Sequence, residues 1–144
     1  MRLLQLISVG CVALLPDQGA AQPRTTADGV YSLAQARRGA QHMARCVPCH
    51  GDELEGDLAP PLIGDGHLAR WAGRPLSELF ARVVTNFDGL AQQGSADEAD
   101  PIAQRAADFL AYLLLQNGFK AGESALSPSP QPMQDIVIVP PPKR

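Results

Sequence analysis

Cys46-Val47-Pro48-Cys49-His50 decides the reading of this chain, because it sets two thiols three residues apart with a histidine directly behind the second. On one helical turn that spacing lets each thiol form a thioether with a vinyl group of a porphyrin, while the adjacent imidazole is delivered to the iron. The pattern reads as a c-type haem attachment site: one covalent haem c on Cys46 and Cys49, with His50 as proximal iron ligand. Two other uses of such a pair stay open. Thiol redox chemistry would need a βαβ context, and none is visible around the motif. A zinc site would need two more ligands, and the chain has only Cys11, His42 and His67 to supply them.

Toward the N terminus, residues 1–21 have the layout of a secretory signal peptide. Arg2 gives the positive start, Leu3 to Leu15 the apolar stretch, and Gly19-Ala20-Ala21 a small-residue cleavage site before Gln22. An apolar stretch of about 13 residues is too short to span a bilayer, and no later segment approaches about 18. The expectation is a periplasmic protein without a membrane span. Val9-Gly10-Cys11 also resembles the end of a lipobox, although Ser8 fits that pattern poorly, and acylation at Cys11 is the competing outcome. With the signal removed, the motif cysteines are the two that remain in an oxidising compartment.

The formal net charge is −3, from 12 basic and 15 acidic residues, which gives no sign of a nucleic-acid partner. The charge is segregated, however. Arg37, Arg38 and Arg45 precede the motif, and Asp52, Glu53, Glu55 and Asp57 follow it. This is either a pair of solvated faces or an oriented docking surface for a redox partner.

Beyond the motif, residues 22–30 suit an extended arm. Ser32 is an N-cap with Gln35 as capping-box partner, and Leu33, Ala36, Ala40 and Met43 recur at helical spacing, so a first helix is predicted to run to about Cys46. Seven glycines and prolines between Gly51 and Gly73 predict a shaped loop without long regular structure. Pro75 opens a second helix with the stripe Leu76, Leu79, Phe80 and Val83. Residues 86–100 read as polar and turn-rich. Asp100-Pro101 then caps a third helix carrying Ile102, Ala106, Phe109, Leu110, Leu113 and Leu114, which stops at Asn117-Gly118. The Pro-rich residues 123–144 form a tail, extended over the domain or partly mobile. So small an all-α core would be helped by a covalent porphyrin.

Several segments together resemble the class I c-type cytochromes, in particular the small monohaem subunits that accompany periplasmic quinoprotein alcohol and sugar dehydrogenases. They are residues 31–39 (YSLAQARRG), 46–51 (CVPCHG), 59–64 (APPLIG), 71–74 (WAGR) and 111–122 (AYLLLQNGFKAG). The resemblance covers roughly residues 31 to 139. It implies a small cytochrome c fold: residues 31–122 as three to four helices around the haem, with an extended Pro-rich tail. It further implies that the first and third helices cross at right angles, Gly39 permitting approach to Tyr112. A backbone carbonyl at Pro60 or Pro61 would accept the Nδ1 proton of His50. Trp71 and Arg74 would contact a haem propionate, or else be a core aromatic and a surface cation. Gly39 stands seven residues before Cys46, where the family more often has eight.

The resemblance breaks at the sixth iron ligand. Where the family carries a Met-Pro pair after the second helix, this chain has Thr85-Asn86-Phe87-Asp88-Gly89, with Phe87 about where the methionine is expected. His67 is the candidate replacement; a surface or propionate-side histidine is the other reading. His42, Met43 and Met133 are placed less well. The expected function is electron transfer, without catalysis by the chain itself, from a periplasmic dehydrogenase subunit to a downstream cytochrome or oxidase. The alternatives are a haem protein whose open sixth site binds a gas or peroxide, and a degenerate subunit kept for assembly.

Overall fold

The computed structural model describes residues 22–92 and 101–141. The signal-peptide segment, Cys11 and the cap assigned to Asp100 lie outside the described residues. Within them the chain is mostly α-helical: α1 (Leu33–Gly39), α2 (Val47–His50), α3 (Gly64–Trp71), α4 (Leu76–Gln92) and α5 (Ile102–Gln116). One parallel pair of two-residue strands, β1 (Arg24–Thr25) and β2 (Ile136–Val137), joins the two ends of the described chain.

α5 is the centre. Its residues 105–111 are buried in an unbroken run, because α1 covers one side and α4 another. Asp108, buried within that run, accepts from Arg38 Nε at 2.8 Å and Nη2 at 3.0 Å and from Gln104 Nε2 at 2.9 Å, so its charge is fully met. At the α1–α5 contact a Cβ on Gly39 would overlap the Asp108 carbonyl. The close approach expected at Gly39 is therefore to the backbone of α5 at Asp108 and Phe109, not to the Tyr112 ring. The Tyr112 hydroxyl instead donates to Met43 Sδ at 3.0 Å.

Three helix predictions need correction. The first helix does not reach Cys46 as one piece. α1 ends at Gly39, and residues Ala40–Arg45 tighten into a 3-10 turn that leads into α2. Ser32 caps α1, accepting from Gln35 N at 3.2 Å, but the Gln35 side chain does not return the bond. It is buried and grips the Leu126 backbone, with Nε2 donating to Leu126 O at 3.0 Å and Oε1 accepting from Leu126 N at 2.7 Å. Second, the Gly51–Gly73 segment holds a helix of eight residues, α3.

The third correction matters most. α4 continues to Gln92, straight through the stretch read as a turn. Thr85, Asn86 and Gly89 look like breakers in isolation. The apolar series Leu79, Phe80, Val83 and Phe87 keeps helical spacing across them, however, and all four side chains are buried. The Thr85 hydroxyl is absorbed by the helix itself, donating to Ala81 O at 3.0 Å.

Within residues 123–141, four apolar side chains are built into the core. Leu126, Met133, Ile136 and Ile138 are each at most 5% exposed. Each such burial contributes roughly 1.5–3 kcal/mol. Gly122 N donates to Tyr31 O at 2.7 Å, and a Cβ at Gly122 would overlap the Gly29 carbonyl, so the tail begins where two backbones touch. Further on, Ile138 accepts from Gly73 N at 2.8 Å and donates to Arg74 O at 2.9 Å, which clamps the joint between α3 and α4.

Candidate functional site

A cavity of about 840 Å³ opens between the motif turn, the loop of residues 59–62, α3, α4 and α5. A space of this size, bordered in large part by apolar side chains, is a candidate binding site. Its lining includes Cys46, Cys49 and His50 from the motif, and it also includes Pro61, His67, Trp71 and Arg74. The structure thus gathers every site residue singled out from the sequence around one space. His42, Met43 and Met133 are not part of its lining.

The motif presents its three donors on one turn. Cys49 N donates to Cys46 O at 3.2 Å and His50 N to the same carbonyl at 2.9 Å, which winds the segment so that both thiols and the imidazole meet the cavity. His50 Nδ1 lies 2.6 Å from Pro60 O. A carbonyl can only accept, so Nδ1 carries a proton, and in the neutral imidazole the lone pair is left on Nε2. Of the two carbonyls expected for this task it is Pro60 that serves; Pro61 is among the residues that line the cavity. Asn117 fixes that wall to α5, Oδ1 accepting from Gly64 N at 3.0 Å while Nδ2 donates to Leu62 O at 3.1 Å and Leu113 O at 2.8 Å.

Neither cysteine is in a disulfide. Burial pushes the Cys46 thiol up to about 11, and the neighbouring Arg45 offsets this only in part. A redox-active thiol needs the opposite shift, toward the thiolate. Among the described residues no group of three or more His, Cys, Asp or Glu converges as a metal site, so a zinc set is not assembled around the pair.

The walls differ in character. On α4 the buried lining is apolar, with Leu79, Val83 and Phe87, and α5 adds Phe109 and Leu113. At the mouth stand four guanidinium groups, Arg45, Arg70, Arg74 and Arg82, with no Asp or Glu among the described lining residues. Arg74 lies over the Trp71 ring, its Cζ 4.6 Å from the centroid, and pairs with Glu78. His67 is only 4% exposed. Burial depresses its pKa, opposed by the Pro61 carbonyl and reinforced by Arg70, so the ring is neutral at neutral pH.

The arrangement can hold a flat, largely apolar group by two thiols and one imidazole, with its anionic edge among the arginines. Arg70, Arg82 and Asn117 were missed from the sequence. Arg70 stands four residues before Arg74, and Arg82 flanks the apolar stripe of α4, but nothing in a linear reading sends either to the cavity. The cationic patch expected before the motif is also redistributed, since Arg38 is committed to Asp108. Compared with known proteins, the chain matches no family model, no curated protein and no solved structure.

Proposed function

We propose that this chain is an exported monohaem c-type cytochrome that carries electrons from a periplasmic dehydrogenase subunit to a downstream cytochrome or oxidase. The observation that carries the reading is the convergence of Cys46, Cys49 and a His50 ring held at Nδ1 by Pro60 O on one cavity of about 840 Å³. Bound haem would supply a one-electron iron centre whose potential follows from axial ligation and burial. The residues do the rest. Cys46 and Cys49 tether the macrocycle, Pro60 holds the His50 tautomer, and the apolar faces of α4 and α5 exclude water. The arginines at the mouth meet the acidic edge of the group, and those left exposed favour a redox partner with an acidic face.

The test is haem staining after denaturing electrophoresis, with intact mass on the same exported sample. The wild type should stain, begin near Gln22 and carry the mass of one haem. Cys46→Ala with Cys49→Ala should abolish covalent staining; normal staining in that double variant would sink the assignment.

A further inference from the structure

We propose that residues 136–139, β2 and the two residues after it, form a strap that holds the Trp71–Arg74 corner of the cavity in place, with Thr26 and Ile138 as positioning residues. The strap is read from the protein's own contacts; its effect on a bound group rests on the haem reading above.

Trp71 ends α3 and Leu76 opens α4, so residues 72–75 are the joint between two helices that line the cavity. The chain turns sharply there: Gly73 has φ +79°, and Pro75 has no N–H to donate. The joint's backbone hydrogen bonds to anything other than α3 and α4 both go, among the described residues, to Ile138. Gly73 N donates to Ile138 O at 2.8 Å, and Arg74 O accepts from Ile138 N at 2.9 Å. These two bonds anchor the backbone of Arg74, whose guanidinium lies over the Trp71 ring with Cζ 4.6 Å from the centroid. Both residues line the cavity, and Trp71 is buried.

The strap is held in turn by the N-terminal arm. β1 pairs with it in parallel, Arg24 opposite Ile136 and Thr25 opposite Val137. Thr26 is fully buried, and its hydroxyl donates to Val139 O at 3.3 Å and accepts from Val139 N at 3.1 Å. Ile136 and Ile138, two apart and so on one face, are buried as well, and β2 packs on α4. None of residues 24–26 or 136–139 lines the cavity. They act on it through the joint. So short a strand, held by few bonds, detaches at lower cost than a helix of the core. Once it is detached, the Arg74 backbone loses its anchor and water enters at that corner. A wetter surrounding favours ferric over ferrous iron, so the potential of a haem held there falls.

The chain has one tryptophan, so its emission reports this corner alone, and a haem in the cavity quenches it by energy transfer. Emission, midpoint potential and thermal unfolding are measured on the exported holoprotein. Ile138→Pro deletes the N–H donated to Arg74 O, and Thr26→Val removes the hydroxyl while keeping its shape. In both, Trp71 emission should rise and move to longer wavelength, and the potential should fall. Ile138→Val keeps both bonds and should match the wild type. Leu126→Ala lies in the same tail but is held by Gln35 of α1, so it should unfold at lower temperature with emission and potential unchanged. If Leu126→Ala moves emission and potential as Ile138→Pro does, the tail only stabilises the fold and the proposal is overturned. If Ile138→Pro yields no protein, Thr26→Val decides alone, and wild-type emission and potential there overturn it too. A wild type without covalent haem stain is a different failure, that of the cytochrome reading; the wavelength shift of Trp71 then still tests the strap.

Discussion

One helix, α5, packs in two opposite ways. Toward α1 it admits nothing: Gly39 lies on its backbone, and Asp108 is met by three hydrogen bonds. Toward α4 and α3 the same helix contributes Phe109 and Leu113 to the border of a cavity of about 840 Å³. α1 and α5 are thus locked by contacts complete within the protein, while α4, though packed on α5, borders a space together with α3. Stability and function are divided between the faces of a single element, and substitutions on the two sides should fail differently.

The largest effect is expected on the closed side. Gly39→Ala forces a methyl into the Asp108 carbonyl, and a backbone obstacle cannot rotate away. We expect a loss of at least about 3 kcal/mol, the upper range for overpacking. Thermal unfolding of the holoprotein measures it; a loss below about 1 kcal/mol would show that α1 can slide on α5, and the contrast between the faces would weaken.

A smaller effect is expected where the two sides join. Asn117→Ala strips three hydrogen bonds and leaves the Gly64 amide without its acceptor, at a cost of about 2 kcal/mol. Because those bonds anchor the 59–62 loop and the start of α3, the visible spectrum of the haem proposed to fill the cavity should shift as well. Gly39→Ala protein that still folds should keep the wild-type spectrum. Spectral change in both variants, or in neither, would erase the distinction.

The smallest effect is a pH dependence confined to the cavity side. His67 has its pKa depressed by burial below the ordinary 6.5, so the unfolded chain binds this proton more readily than the folded one. Its contribution is present in full above 6.5 and is lost as pH falls from there through the folded value. Denaturant midpoints of the wild type minus those of His67→Gln, followed from about pH 7.5 to about pH 5, should therefore narrow toward acid. A difference that is flat or widens would mean that His67 takes up its proton in place.

How far these features were legible depends on the range of the contact involved. The helical identity of α5 and its stop at Asn117-Gly118 follow from periodicity and turn chemistry within the segment, and Gly118 does adopt φ +85°. The site residues named from the motif and the resemblance all reach the cavity. α4 was cut short because Thr85, Asn86 and Gly89 weigh as breakers locally, whereas burial of Phe87 against Phe109, ring centroids 5.6 Å apart, rewards continuing the helix. Gln35 has the right place for a capping box, yet its side chain is claimed by Leu126, 91 residues away.

By itself the sequence determined the donors: two thiols and an imidazole on one turn, because that spacing acts over a few residues and needs no distant partner. It also determined the inventory of alternatives, since a chain with three histidines and three methionines has few candidates for any further ligand. Only the tertiary structure decided which carbonyl meets His50, which arginines line the cavity, and that Leu126, Met133, Ile136 and Ile138 belong to the core. Those outcomes depend on which surfaces meet once the helices pack, and such contacts between residues far apart leave no periodic trace in the chain.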